Sequence, residues 1–138
     1  MRPMRRTRGF TLIELMMVLV VMAIILAVAV PTFYAQLRKS RRSEILAQMQ
    51  TLVLAQEQWR ANNTSYATTA QLGNPTATHY TIAVALDATY PERTYTITAT
   101  AKSGDDQLKD RSSGTTCTPL TITSTSGSQS KTPSLCWQ

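Results

Sequence analysis

The chain has 138 residues, 43% of them hydrophobic, and carries 14 Lys+Arg against 8 Asp+Glu for a formal net charge of +6. That length accommodates one small domain and excludes a multidomain enzyme. The charge is unevenly placed: Arg2, Arg5, Arg6 and Arg8 precede an apolar run, and Arg38, Lys39, Arg41 and Arg42 follow it. Without the first nine residues the balance is ten cations to eight anions, a formal +2, which weakens any argument from charge to nucleic acid.

Residues 15–30 (LMMVLVVMAIILAVAV) contain no polar side chain, and with residues 10–14 they make a stretch of twenty-one. As a helix this stretch is about 31 Å long, enough to span a hydrocarbon core. A secretory signal would be cut after its apolar core at small residues, and Ala27 and Ala29 offer only an ambiguous site. Glu14 is the anomaly, because an ionised carboxylate at the start of a membrane span needs a partner. A cut between Gly9 and Phe10 would supply one: the new amino terminus lies one helical turn before Glu14, on its own chain or a neighbour's, and the helix dipole favours an anion there. The alternative is a Glu14 that is protonated or sits at headgroup level. Pro31 removes a backbone hydrogen bond and crowds the carbonyl of Ala27, predicting either a kink or an ordinary bend at the membrane exit. Cations flank both ends of the span, so the positive-inside rule does not set its orientation.

Residues 43–61 (SEILAQMQTLVLAQEQWRA) place Ile45, Met49, Leu52 and Trp59 at helical spacing, with Gln56 filling the remaining turn and Glu44, Gln48, Glu57 and Arg60 polar. This predicts an amphipathic helix continuing the membrane helix, about 78 Å in all from Phe10 to Ala61. Its stripe reads as the core contact of a head domain. Asn62-Asn63-Thr64-Ser65 is a polar stop, and its two Asn-x-Ser/Thr tripeptides are not taken as glycosylation sites. A loop over residues 66–79 is followed by three alternating segments that predict antiparallel strands. Ile82, Val84 and Leu86 share a face of the first; Tyr95, Ile97, Ala99 and Ala101 alternate with threonines in the second; Leu120 and Ile122 share a face of the third, near residues 119–125.

Cys117 and Cys136 are separated by eighteen residues, and the single histidine, His79, lies far upstream, so no zinc pattern arises. A disulfide formed outside the cytosol is the preferred reading, worth about 3 kcal/mol in the chain-entropy model; two buried thiols are the alternative. No catalytic set, phosphate loop or metal motif is present, and neither a cofactor nor a small-molecule substrate is expected. Asp105, Asp106 and Asp110 lack the order of a calcium loop and read as a solvated acidic turn. The cluster of Arg38 to Arg42 is expected to meet lipid phosphates or acidic groups of a neighbouring subunit, with simple solvation by water as the alternative.

Arg8-Gly9-Phe10-Thr11-Leu12-Ile13-Glu14-Leu15 followed by an apolar run resembles the class III signal of type IV prepilins and pseudopilins. The resemblance implies cleavage after Gly9 by a prepilin peptidase on the cytoplasmic side, N-methylation of Phe10, and a charge pairing of Glu14 that guides assembly. It also implies an α+β pilin fold: residues 1–9 a cleaved leader, 10–35 a transmembrane and filament-core helix, and 36–138 a periplasmic head. The head would comprise an amphipathic helix over 36–61, a loop over 62–79, and a small antiparallel sheet with a disulfide-bounded tail over 80–138. Where many pilins carry a mid-run glycine this chain has Ala23, a strong helix former. Cys117 and Cys136-Trp137 resemble the ends of the disulfide-bounded region of type IV pilins. With Trp59, Tyr66-Ala67 and Leu72-Gly73, that ending is most similar to PilE-like minor pilins. The implied role is a structural pilus subunit stored in the inner membrane, with other pilins, the assembly platform, the peptidase and membrane lipid as partners. Adhesion and twitching motility are roles that such subunits serve. A type II secretion pseudopilin, some of which bind calcium in their heads, and a competence pilin whose head captures DNA are the alternatives; nucleic acid is not the expected partner.

Overall fold

The computed structural model describes residues 9–138; Arg2, Arg5, Arg6 and Arg8 of the expected leader lie outside the described residues. The chain divides into two compact units, Met1–Gln36 and Leu37–Gln138. A single helix, α1 (Leu12–Arg60), provides all the regular structure among the described residues of the first unit and the first element of the second. Every described residue from Gly9 to Gln36 is exposed.

In the second unit α1 meets a four-stranded antiparallel sheet of β1 (Tyr80–Leu86), β2 (Thr94–Ala101), β5 (Leu120–Thr125) and β6 (Ser128–Thr132), in the order β1-β2-β5-β6. A hairpin of β3 (Arg111–Ser112) and β4 (Thr115–Thr116) is inserted between β2 and β5. The alternation read in the sequence sets the register of the inner face: Ile82 opposes Ala99, Val84 opposes Ile97, and Ile97 opposes Ile122. Threonines fill the other face, where Thr96 opposes Thr123 with their hydroxyls 3.2 Å apart. Period-two alternation puts one set of side chains against the helix and leaves the other to water.

The core joins Ile45, Met49, Leu52 and Val53 of α1 to Tyr80, Ile82, Tyr95, Ile97, Ala99, Leu120 and Ile122 of the sheet. Tyr66 closes one end, its ring edge-on to Tyr95 with centroids 4.5 Å apart. The helical stripe differs from expectation at its end: Val53 is buried, whereas Trp59 is only half-buried. Gln56 is fully buried and replaces a missing strand partner, its Nε2 donating to the Ala67 carbonyl and its Oε1 accepting from the Ala67 N–H, both at 2.7 Å. A buried amide satisfied in both senses fixes the loop after α1 without an unpaired polar atom.

The expectation of three strands falls one short of the four-stranded sheet and leaves out the β3–β4 hairpin. β6 (SQSKT) has no apolar residue and all five of its residues are exposed, so nothing in its side-chain pattern marks a strand. Its position is dictated by Ser126 and Gly127, at φ 50° and 86°, which form a two-residue turn with both centres left-handed. Such a turn matches strand twist and forces the following residues back along β5, pairing Thr125 with Ser128.

Candidate functional site

Two features carry chemistry, one in each unit. In the first, α1 presents an unbroken apolar surface in which the only charge from Gly9 to Gln36 is Glu14. Glu14 lies in the opening turn, where its N–H donates to Thr11 Oγ1 at 3.3 Å, a side-chain bond to an otherwise orphan donor. The helix runs through Pro31 without a break in its assignment. Thr32 Oγ1 donates to the Ala29 and Val28 carbonyls at 2.8 and 3.2 Å, so the turn around the proline keeps local hydrogen bonds. This is the one described helix long and apolar enough to cross a membrane.

In the second unit the six residues from Asp105 to Asp110 are clamped by two arginine–aspartate ion pairs and a histidine–aspartate contact. Arg38 Nη1 donates to Asp106 Oδ2 at 2.7 Å, Arg42 Nη1 to both oxygens of Asp110 at 2.9 and 2.8 Å, and His79 Nδ1 lies 2.8 Å from Asp105 Oδ2. Gln107, also buried, donates from Nε2 to the Arg38 carbonyl at 3.0 Å. The His79 contact and the Gln107 N–H hold the Asp105 carboxyl below its ordinary range, and the Arg38 bond does the same for Asp106. Tyr80 lies beside this cluster, its phenol pushed up to about 12 by burial.

The structure revises both sequence expectations in part. Asp110 is buried, while Asp105 and Asp106 stay partly exposed; Arg38 and Arg42 pair with aspartates of their own chain, whereas Lys39 is exposed and Arg41 half-buried. The reason is helical periodicity: Arg38 and Arg42 precede Ile45 and Met49 on the same stripe, so they project toward the face that the tail covers. Their carboxylate partners are 68 residues away, beyond the reach of any local pattern.

The clamp abuts the disulfide. Cys117 and Cys136 are bonded at 2.07 Å and both are fully buried. The Cys117 N–H donates to the Asp110 carbonyl at 3.0 Å, and Arg42 Nη1 reaches Cys117 Sγ at 3.1 Å. With the three tail aspartates turned toward α1 and His79, the cations Lys102, Arg111 and Lys131 remain exposed on the same third of the chain. Lys131 Nζ sits 5.3 Å from the Trp137 ring centroid.

Comparison with known proteins finds family matches over both units. Residues 4–30 match the family described as the prokaryotic N-terminal methylation motif. Residues 31–121 match the family described as type IV minor pilin ComP, DNA uptake sequence receptor. The chain is 32% identical over 68 residues to type II secretion system core protein G of Klebsiella pneumoniae, covering 49% of each. It is 36% identical over 63 residues to the type IV wide pilus major component PilA4 of Thermus thermophilus, covering 46% of this chain and 48% of that protein. A third match, 37% over 62 residues, is to the type IV major pilin protein PilA of Myxococcus xanthus, covering 45% and 28%. The chain thus spans half or less of these relatives. No solved structure matches. A methylation motif at the head of an apolar helix, and a family match over residues 31–121, more than half of the chain, place this chain in the type IV minor pilin family.

Proposed function

We propose that the chain is a structural subunit, a minor pilin, of a type IV pilus. The observation that carries this reading is the RGFTLIEL motif in the sequence leading into α1, whose described residues 9–36 are all exposed and carry Glu14 as their one charge. Such a surface is stable in lipid or among equivalent helices, and shape and charge pairing decide between neighbours because lipid and protein are equally apolar. In this reading a prepilin peptidase cuts after Gly9, Phe10 is N-methylated and keeps its positive charge, and residues 10–35 hold the subunit in the inner membrane with the head in the periplasm. An assembly platform then transfers it to the filament, where Glu14 meets the cationic terminus of its own or a neighbouring chain and Pro31 provides a soft point. Intact mass and N-terminal fragmentation of protein from its native membrane test this. A chain beginning at methylated Phe10 supports the reading; one beginning at Met1 or cut after Ala29 refutes it.

A second reading, reception of DNA by the assembled subunit, is favoured by the description of the family matched over residues 31–121. It is also favoured by the exposure of Lys102, Arg111 and Lys131 while the tail aspartates face inward. Phosphate binding releases counterions, so binding of duplex DNA by the detergent-solubilised chain should fall steeply with salt. Absence of binding at low salt removes this reading and leaves the structural one intact. The secretion pseudopilin alternative shares the same leader. The commitment of Asp105, Asp106 and Asp110 to His79, Arg38 and Arg42 argues against a calcium-dependent head and so favours the pilus.

A further inference from the structure

The two sulfurs of the disulfide are bonded to each other but differently placed. Cys117 Sγ lies under α1, 3.1 Å from Arg42 Nη1, and its backbone N–H is fastened to the Asp110 carbonyl. Cys136, itself fully buried, belongs to the short 3-10 turn Ser134–Cys136, whose neighbours Ser134, Leu135 and Gln138 are exposed and Trp137 half-buried. No cation contacts Cys136 Sγ among the described residues. Attack on the buried Cys136 Sγ therefore requires this turn to open, and a three-residue turn held by neutral hydrogen bonds opens at lower cost than a segment clamped by a buried ion pair.

We infer that Arg42 gives the two cysteines unequal roles in thiol–disulfide exchange: Cys136 is the sulfur attacked, and Cys117 is the one that leaves and returns as a thiolate. In reduction, an external thiolate attacks Cys136 Sγ. The Cys117–Cys136 bond breaks and its electron pair stays on Cys117 Sγ beside the Arg42 guanidinium, leaving a mixed disulfide on Cys136. Oxidation is the reverse: the Cys117 thiolate attacks Cys136 Sγ and expels the external thiolate, with no proton or electron unaccounted for. A cation next to a sulfur favours its thiolate, and a better-stabilised leaving thiolate departs faster.

The groups around Arg42 determine how much of its charge reaches the sulfur. Asp110 takes two acceptor bonds from the same Nη1, while Tyr80, in the field of both Arg42 and Asp110, stays a neutral phenol. The carboxylate therefore offsets part of the effect, and the direct donor contact supplies the remainder. The Thr115 carbonyl, 3.7 Å from Cys117 Sγ, is a weaker acceptor that favours the neutral thiol. This assignment does not depend on the filament reading.

The test is to incubate the full chain in detergent micelles with reduced glutathione, quench with acid and map the mixed disulfide by peptide mass spectrometry. The expected result is a glutathione adduct on Cys136 at least tenfold over Cys117, falling to near equality in urea. In the doubly neutral variant R42M/D110L, which removes both buried charges and leaves no lone ion, the folded ratio should drop severalfold, and R42K should restore most of it. Equal or reversed labelling of the folded wild-type chain overturns the inference. So does complete resistance of the folded chain to glutathione, because then neither sulfur is an exchange site. An unchanged ratio in R42M/D110L assigns the asymmetry to tail opening alone and overturns the role of Arg42.

Discussion

Replacing Asp110 by Asn is the most informative single change. The side chain keeps its shape but loses its charge, leaving the Arg42 guanidinium, only 4% exposed, with no anion in contact. Breaking a buried pair from one side costs about 3–5 kcal/mol, because the remaining ion stays desolvated. A domain of this size has about 5–15 kcal/mol of stability in all, so about a fifth or more of the total is at stake. At about 4–8 °C per kcal/mol, the unfolding midpoint should fall by at least about 12 °C. Near-ultraviolet circular dichroism of the chain in detergent follows this, since Trp59 and Trp137 report the second unit while the apolar helix persists in the micelle. Replacing the pair together, Arg42→Met with Asp110→Leu, should recover most of the loss, because an apolar pair of similar volume carries no desolvation cost. A midpoint for Asp110→Asn within 2 °C of the wild type, or a double variant as unstable as the single, would refute the claim that this pair is buried and mutually dependent.

Further outcomes follow from the same geometry. Glu14→Ala should still insert into membranes but be recovered from sheared filaments at a small fraction of the wild-type level; equal incorporation would remove Glu14 from assembly. Cys117→Ser with Cys136→Ser should lose about 3 kcal/mol in denaturant unfolding, the loop-closure term for a bridge of this length. A loss below 1 kcal/mol would mean that the clamp alone holds the tail. Asp105 and Asp106 titrate below their ordinary range when folded, so the unfolded chain binds protons first as pH falls. Their contribution is fully present above about pH 4, the unfolded carboxylate value, and is lost as pH drops through their lower folded values. Thermal scans from pH 6 to pH 2 should show this decline, and Asp105→Asn with Asp106→Asn should flatten it; an unchanged slope would contradict the assigned pairs.

The first unit was legible in the sequence because its determinants are local. Sixteen consecutive side chains without a polar atom form a helix that needs lipid or partner helices, and Glu14 stands out against them without reference to anything else in the chain. The three apolar strands were legible for a similar reason, since period two in Tyr95, Ile97, Ala99 and Ala101 assigns the inner face and with it the register. The disulfide was legible by the count of two cysteines, and the structure joins them.

What the tertiary structure alone decided is where polar groups go. Arg38 and Arg42 looked like surface cations, and Asp105, Asp106 and Asp110 like a solvated turn, because the free energy of a charge depends on what desolvates it and what lies within about 4 Å. That neighbour is 68 residues distant in the chain and on another element. Gln56 likewise owes its burial to the backbone of Ala67, and β6 owes its pairing to the left-handed turn at Ser126 and Gly127, with no apolar side chain to announce it. Apolar periodicity needs only the chain's own geometry to be read, whereas a polar partner exists only after the elements have packed.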